Sequence, residues 1–467
     1  MPGSKRIPNR IRTRPLDASV ERVAREAMRK TGTPGVAVGI LLAGRAYGGG
    51  FGITSIAAPA PVDEQTLFQI GSTSKTFTAT AVQRLVERGD LDLDAPVRRY
   101  LRDLRLKDPQ VARTVTLRHL LTHTAGWVGD YFADTGRGDD ALARVITHLA
   151  TVPQLTPLGE VWHYNNAGFY LLGRVIEKTT GAPYERAIAE LLLQPLGMTR
   201  SFFFADEAIP YRVAAGHMAV GPTKTKHTLT PQWAMARNVG PAGGLISDVI
   251  DQLRWAQFHM GDGRAPDGKR LLKRSSLREM QRPQSPAADM ADATGLTWLI
   301  EDVGGVRTVA HGGTTPGQLS AFLMVPEHDF AVTVLTNSSR GREVHRALVR
   351  HALEHFLGVA RPVVKPLGLN GARLDTYPGT YVSGLGDVAI DLEPSGTRLA
   401  ASFRLLKGDH DPGFAPFKLA FHSPDIVEIV GGRLGGARAH FLRDPNARVR
   451  FLRFGGRLYK RARAQRS

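Results

Sequence analysis

The chain of 467 residues is long enough for one large core domain and a second, smaller module. It has no cysteine, which excludes disulfides and thiolate metal sites, and its content of 22% charged and 42% hydrophobic residues is typical of a globular protein. The net charge of +18 favours anionic surfaces, but no nucleic-acid-binding motif accompanies it, so we predict no specific nucleic-acid partner.

The N-terminal part of the chain predicts an extension, a helix and a first strand. Residues 1–16 are basic and lack the apolar stretch of a secretory signal, so we expect a flexible extension and a cytoplasmic protein, with a periplasmic or secreted location left open. Residues 17–29 have the apolar spacing of a helix. Residues 35–42 form an apolar run too short to cross a bilayer, which predicts a buried strand, and no transmembrane segment is predicted elsewhere.

The sequence Ser72-Thr73-Ser74-Lys75 stands at the start of a predicted helix that ends at Gly89. Residues i and i+3 share one face of a helix, so the Lys75 amine can lie beside the Ser72 hydroxyl and take its proton. The N–H group of Ser72, at the helix N-terminus, can stabilise an oxyanion on an attacked carbonyl. We therefore interpret Ser72 as a nucleophile and Lys75 as its proton acceptor, although a Ser-x-x-Lys quartet alone also occurs by chance.

Three later segments accompany Ser72 in a fixed order: residues 117–126 are Leu-Arg-His-Leu-Leu-Thr-His-Thr-Ala-Gly, residues 164–169 are Tyr-Asn-Asn-Ala-Gly-Phe, and residues 311–314 are His-Gly-Gly-Thr. Residues 117–260 are predicted to be largely helical, residues 321–337 to form two antiparallel strands, and residues 343–356 to form a closing helix. This order predicts an α+β fold, in which an antiparallel sheet is flanked by helices and accompanied by an all-helical lobe.

Taken in this order, the segments around Ser72, Tyr164 and His311 resemble those of the serine β-lactamase and penicillin-binding protein superfamily. The closest likeness is to its class C-like branch, which includes D-aminopeptidases, D-Ala-D-Ala carboxypeptidases, family VIII esterases and amide hydrolases. The resemblance covers about residues 17–358 and implies the β-lactamase/transpeptidase-like fold, with the site between the two lobes.

The resemblance also implies roles for individual residues. Tyr164 would act as a general base or proton relay, which requires Lys75 and a third cation to lower the pKa of its phenol. Asn166 would hold Lys75 or a substrate amide. Gly313 would allow close backbone approach, and the N–H group of Thr314 would complete the oxyanion hole together with that of the nucleophile.

Residues 311–313 depart from the β-lactamase pattern, which has Lys-Ser/Thr-Gly where this chain has His-Gly-Gly. Because Gly312 has no hydroxyl and a histidine is mostly neutral near pH 7, strong recognition of a β-lactam carboxylate is not expected. If the His311 imidazolium binds a substrate carboxylate or lowers the pKa of Tyr164, activity should follow the ionisation of a group at about pH 6 to 7.

His119 and His123 are four residues apart and could share a helix face as metal ligands, but no third ligand is evident. The resemblance implies no metal in this segment. We therefore predict neither a metal nor a cofactor.

The composition changes at residues 358–367, where prolines predict a linker, and we place the hydrolase domain at residues 17–360. Residues 361–467 contain short alternating runs that predict strands, at residues 388–392, 398–403, 426–430 and 448–454. This region resembles the small antiparallel lipocalin-like β-barrel that is often appended to the family.

We predict a serine hydrolase that works through an acyl-enzyme on a small molecule or peptide, either a D-amino-acid-containing peptide or amide or a small ester. Two alternatives lie within the superfamily: a true β-lactamase, and a penicillin-recognising binding protein with little turnover. An anionic-polymer-binding protein that uses the positive surface is the alternative from another class. The particular substrate, oligomerisation and the role of the C-terminal domain stay open.

Overall fold

The computed structural model describes residues 11–221, 223, 225–362, 366–367, 371–407, 415–432 and 434–462. The helices of this part of the chain are α1 (Ala18–Thr31), α2 (Ser74–Glu87), α3 (Pro109–Thr114), α4 (Leu117–Leu121), α5 (Ala141–His148), α6 (Ala167–Thr180), α7 (Tyr184–Ile188), α8 (Ala205–Ala208), α9 (Gly240–Gly243), α10 (Val249–Met260), α11 (Arg274–Met280) and α12 (Gly341–Leu357). None of these helices is long and apolar enough to cross a membrane.

The strands of the same part of the chain are β1 (Gly35–Leu42), β2 (Arg45–Gly52), β3 (Phe68–Gln69), β4 (His217–Val220), β5 (Lys226–Leu229), β6 (Ile246–Ser247), β7 (Ser285–Pro286), β8 (Ala293–Thr294), β9 (Leu299–Val303), β10 (Val306–Thr315), β11 (Gln318–Val325), β12 (Phe330–Thr336), β13 (Gly379–Ser383), β14 (Val388–Ser395), β15 (Arg398–Leu405), β16 (Phe417–Ser423), β17 (Ile426–Val430), β18 (Arg438–Arg443), β19 (Val449–Phe454) and β20 (Arg457–Arg461).

An eight-stranded antiparallel sheet has the strand order β2-β1-β12-β11-β10-β9-β8-β7. Its central strands β1 and β12 are buried on both faces, because helices cover the sheet from both sides. On one side, Val20 of α1 and Leu348 of α12 belong to the same apolar cluster as Val38 of β1. On the other side, Leu253 of α10 lies directly over Gly39 of β1. The predicted antiparallel sheet flanked by helices is thus confirmed.

Helix α2, which follows the candidate nucleophile, is buried almost throughout. Its Phe77 stacks on Trp255 of α10 with ring centroids 3.9 Å apart. Polar residues of α2 are buried as well, and Thr78 donates a hydrogen bond to the Pro241 carbonyl at 2.7 Å. Because neighbours hold this helix on all sides, it gives the nucleophile a rigid support.

The C-terminal region forms a closed antiparallel barrel of eight strands, β13 to β20, as predicted. The four strands predicted from the sequence correspond to β14, β15, β17 and β19. The prediction missed the other four, of which β20 has a weak apolar pattern: it buries only Leu458 among its five residues. Basic residues occupy most of its other positions.

Part of the predicted N-terminal extension is packed against the main sheet. Arg14 forms a bridge with Tyr47 of β2, and its N–H group donates to the Ala46 carbonyl at 2.9 Å. Leu16 is buried in the apolar cluster under α1. Arg14 therefore adds one bridge to the edge strand of the sheet and Leu16 packs beneath α1, whereas residues 1–10 lie outside the described part of the chain.

Candidate active site

The candidate nucleophile stands where β3 leads into α2. Residues Gly71–Thr73 form a 3-10 turn that continues into the helix, and Gly71 has a φ of +51°, a left-handed conformation that favours glycine. Ser72 is partly exposed, whereas Lys75 is fully buried, and Ser72 Oγ lies 3.1 Å from Lys75 Nζ. The structure brings these two residues together, with the hydroxyl nearer solvent and the amine beneath it.

The Lys75 amine has three polar neighbours. Its Nζ lies 2.6 Å from Asn166 Oδ1, 2.5 Å from the Ala242 carbonyl oxygen and 3.1 Å from Ser72 Oγ. Full burial, together with the nearby Arg457 guanidinium, lowers the pKa of Lys75 well below its usual range. The amide and carbonyl oxygens only accept, so a neutral Lys75 amine would direct its two hydrogens to them. The lone pair of that neutral amine would then face the serine hydroxyl, as a general base requires.

Tyr164 is buried beside this pair. Its ring stacks on that of His123 at 4.5 Å between centroids, with Lys75 Nζ at 4.9 Å and the Arg457 guanidinium carbon at 4.8 Å from its centroid. Burial raises the pKa of Tyr164, and the opposing effects of Ser72 and Arg457 are smaller. The expectation of a lowered pKa is therefore wrong: the third cation is present, but burial outweighs it. Tyr164 therefore stays a phenol near pH 7.

Asn166 precedes α6, and both ends of its side-chain amide are held. Its Oδ1 accepts from Lys75 Nζ at 2.6 Å, and its Nδ2 donates to Asp130 Oδ1 at 2.7 Å. The predicted contact between Asn166 and Lys75 is therefore present. Because a carboxylate oxygen only accepts, Asp130 determines which end of the amide faces the lysine.

Gly313 and Thr314 lie on β10 where this strand passes the nucleophile. A Cβ atom on Gly313 would lie 1.9 Å from the carbonyl oxygen before Gly71 and 2.7 Å from Ser72 N, so the approach requires glycine. A Cβ atom on Gly71 would lie 2.6 Å from Thr314 N. β9 pairs with β10 only as far as residue 310. The later part of β10 therefore has an edge that β9 leaves free, and this edge faces the turn formed by Gly71–Thr73. The backbone N atoms of Ser72 and Thr314 thus lie on facing segments.

His311 is buried, and its Nδ1 lies 2.8 Å from the Gly312 carbonyl oxygen, so Nδ1 is the protonated nitrogen of the neutral ring. Its Nε2 has no hydrogen-bond partner among the described residues. Burial, followed by the effect of Lys75, lowers the pKa of His311 to about 3. The expected imidazolium at about pH 6 to 7 is therefore wrong, because burial disfavours the charged ring.

His119 and His123 have separate structural roles. His119 Nδ1 lies 2.7 Å from Thr116 Oγ1 and closes the first turn of α4. His123 Nδ1 accepts from the Asn165 N–H group at 3.0 Å, while its ring packs on Tyr164. Within the described ranges, no group of three or more His, Cys, Asp or Glu side chains could hold a metal ion.

Sequence reasoning missed the part of the site that comes from the barrel. In the turn between β19 and β20, the Gly456 carbonyl accepts from the Tyr164 N–H group at 2.7 Å. The adjacent Arg457 forms a bidentate ion pair with Asp130. These two residues are 327 positions apart, and neither stands in a recognisable motif. The sequence signal was limited to an ordinary Gly-Gly hairpin turn in a basic strand.

A partly exposed serine beside a buried lysine, with a buried tyrosine next to the pair, is the arrangement expected in a family of serine hydrolases. The chain belongs to the β-lactamase family, whose model matches residues 20–355. It is 35% identical over 355 residues to penicillin-binding protein 4 of Amycolatopsis lactamdurans, a match that covers 74% of this chain and 93% of that protein.

Solved structures are similar over nearly the whole chain. The crystal structure of SurE matches with a TM-score of 0.75 and 26% identity, covering 95% of this chain and 98% of SurE. The structure of SurE with D-Leu gives a TM-score of 0.72, with 26% identity and coverage of 95% and 99%. The octameric penicillin-binding protein homologue from Pyrococcus abyssi gives 0.66, with 26% identity and coverage of 95% and 100%. The predicted fold, a β-lactamase-like domain followed by a barrel, is confirmed.

Proposed function

We propose that this protein forms an acyl-enzyme on Ser72 and hydrolyses peptides or amides that contain D-amino acids, with small esters as a second substrate class. The observation that carries the proposal is the position of the buried Lys75 amine, which contacts two oxygen acceptors and lies 3.1 Å from the Ser72 hydroxyl. Membership of the β-lactamase family supports the same reaction class.

In the proposed reaction, Lys75 takes the proton of the Ser72 hydroxyl while Oγ attacks the substrate carbonyl carbon. The N–H groups of Ser72 and Thr314 stabilise the oxyanion. The Tyr164 phenol passes the proton from the Lys75 ammonium to the leaving amine or alcohol, and the C–N or C–O bond breaks to leave acyl-Ser72. Water, deprotonated through the same pair, then attacks the ester and releases the acid and the free serine.

The substrate class rests on two kinds of support. A D-configured substrate is suggested by the similarity to SurE, solved with D-Leu, and to a penicillin-binding protein. The site itself offers no hydroxyl at Gly312 and a neutral ring at His311, which argues against tight binding of a penicillin carboxylate. A small ester needs no carboxylate recognition and is the second class for that reason.

A panel of D- and L-amino-acid p-nitroanilides and p-nitrophenyl esters tests this proposal, with wild type and Ser72→Ala in parallel. We expect wild type to hydrolyse D-residue substrates or esters, and the variant to hydrolyse neither. Intact-mass spectrometry of wild type with a slow substrate should show the acyl adduct on Ser72. A wild-type protein that hydrolyses no member of the panel and leaves Ser72 unlabelled by a fluorophosphonate would overturn the proposal.

Two further measurements separate the alternative functions. Rapid loss of a bound fluorescent penicillin identifies a β-lactamase, whereas a persistent label identifies a penicillin-recognising protein with little turnover. Steeply salt-dependent binding to heparin, without hydrolysis of the panel, identifies an anionic-polymer-binding protein.

A further inference from the structure

We propose that Arg457, which the C-terminal barrel contributes, is a positioning residue of the active site: it holds Asp130, and Asp130 turns the Asn166 amide oxygen toward Lys75. The inference deepens the proposed function and rests on it for its catalytic consequence. The connection between the four side chains is itself a feature of the structure.

The first link joins the barrel to Asp130, which lies in the loop between α4 and α5. Arg457 Nε donates to Asp130 Oδ2 at 2.8 Å and Nη2 donates to Asp130 Oδ1 at 3.0 Å, a bidentate geometry that fixes the plane of the carboxylate. Arg457 is also held by its own turn, because Nη1 donates to the Gly455 carbonyl at 2.8 Å. The two side chains are 38% and 28% exposed, so the pair adds little to stability and acts mainly through orientation.

The second link runs from Asp130 to the catalytic lysine. The same carboxylate accepts from Asn166 Nδ2 at 2.7 Å, which leaves Asn166 Oδ1 to accept from Lys75 at 2.6 Å. If the amide turned round, its NH₂ group would face the Lys75 amine, and the amine would lose an acceptor. Its lone pair would then no longer be directed at the Ser72 hydroxyl. The orientation of one carboxylate therefore controls the orientation of the base.

The turn that carries Arg457 is firmly docked. The Gly456 N–H group donates to Asp289 Oδ2 at 2.6 Å, and Arg453 of β19 forms a buried ion pair with the same carboxylate at 2.8 Å. Arg453 also donates to the Trp162 carbonyl at 2.8 Å. These contacts hold the turn against the segment that contains Tyr164. Arg457, Asp130, Asn166 and Lys75 thus form an unbroken series of contacts from the barrel to the lysine.

The charges around Lys75 predict both the direction and the size of the shift that each substitution should cause in the pKa of Lys75. The ionisable groups that face it are Arg457, Asp130, Tyr164, His123 and His311. Burial keeps the two histidines neutral and the tyrosine protonated near pH 7. The guanidinium lowers the pKa of Lys75, and the Asp130 carboxylate raises it. Arg457→Gln should therefore raise this pKa, and Asp130→Asn should lower it.

The experiment compares the full-length wild type with Arg457→Gln, Arg457→Lys, Asp130→Asn and the Arg457→Gln/Asp130→Asn double variant. The pKa of Lys75 is measured by NMR titration of ¹³C-labelled lysine, with its signal assigned by Lys75→Arg, and kcat/KM is measured across pH. Arg443→Gln is the matched control, because Arg443 forms a bidentate ion pair with Asp425 elsewhere on the barrel at similar exposure. Thermal unfolding of each variant separates loss of stability from loss of alignment.

We expect the pKa of Lys75 to rise by about one unit in Arg457→Gln, to fall by about one unit in Asp130→Asn, and to return toward the wild-type value in the double variant. All three should lose roughly tenfold to a hundredfold in kcat, since the amide is no longer held. Arg457→Lys should keep the pKa but lose rate, because an ammonium cannot hold both carboxylate oxygens. Arg443→Gln should change neither property.

Unchanged pKa and kcat in both single variants overturn the proposal, and so do pKa shifts in the same direction. The NMR titration needs no substrate. A protein that hydrolyses nothing would therefore overturn the proposed function, while the opposite pKa shifts would still support the positioning of Lys75.

Discussion

The two halves of the active site are built in different ways. The local half consists of Ser72 and Lys75, which come from one helical turn, three residues apart, so helix geometry sets their relative position. The barrel half consists of Gly456 and Arg457, which come from the barrel and reach the site only through contacts between distant segments. The difference shows that the reacting groups are encoded locally, whereas their alignment depends on how the barrel docks. Each of the following predictions tests one side of this contrast.

The largest effect is expected in the local half. Ser72→Ala removes the nucleophile and should lower kcat/KM by about 10⁴-fold or more while the protein stays folded. Hydrolysis rates on the best substrate of the panel, together with circular dichroism and a thermal melt, check this. Retained hydrolysis by a folded variant would show that the local half does not carry the chemistry.

A second prediction concerns Lys75→Ala and Tyr164→Phe. If Lys75 and Tyr164 act as one relay, each change should cost about 10³-fold in kcat, and the double variant should lose little more than either single variant. Tyr170→Phe is the matched control, because the buried Tyr170 hydroxyl donates to the Tyr131 carbonyl at 2.8 Å and takes no part in the relay. Losses that multiply in the double variant would mean that the two groups act independently.

A third prediction tests the barrel half with two glycines. Gly456 and Gly396 have φ values of +75° and +63°, so alanine at either position costs roughly 1 kcal/mol of backbone strain. A Cβ atom at Gly456 would lie 2.8 Å from Tyr164 Cβ, whereas one at Gly396 would meet nothing within 4 Å. We expect Gly456→Ala to lower kcat/KM by about tenfold or more, and Gly396→Ala to lower only the melting temperature. Equal activity of the two variants would remove the barrel turn from the site.

The smallest effect is expected at His311, and it concerns stability more than rate. Its pKa is about 3 in the folded protein, against an ordinary value of 6.5, so the unfolded chain binds the proton more readily. The free energy of unfolding should therefore fall as pH drops from about 6.5 toward 3. His311→Gln should make this dependence less steep and leave the shape of the pH–rate profile above pH 6 unchanged. Denaturant titrations at several pH values, beside rate profiles of both proteins, give the comparison.

Much of the local half could be predicted because its signals are short in sequence. The Ser72–Lys75 spacing requires only that a helix begins there, and the segment from Tyr164 to Asn166 stands directly before α6. The strand pair of β11 and β12 follows from two apolar runs separated by one turn. In each case, neighbouring residues alone determine the element.

The ionisation of His311 and Tyr164 and the position of Arg457 depend on the tertiary environment, which neighbouring residues in the sequence do not determine. The type of residue at 311 predicts an ionisation near neutral pH, but the depth of its burial is set by the strands and helices packed around it. The same holds for Tyr164, where the expected cation is present and burial still dominates. Arg457 could not be assigned, because a basic residue in a short barrel strand looks like many others until the barrel is docked.

The contact between Asp130 and Arg457 also bears on how the molecule becomes active after unfolding. It closes a loop of 327 positions, whereas the turn of α2 and the barrel strand pairs other than β13–β20 join near neighbours in the chain. Contacts of such long range form later than local ones, and docking of preformed units takes milliseconds to minutes. Refolding should therefore restore the signals of helices and of strand pairs between chain neighbours first, and hydrolysis only after the long-range contacts, which include the β1–β12 pair and the docked barrel turn, have formed.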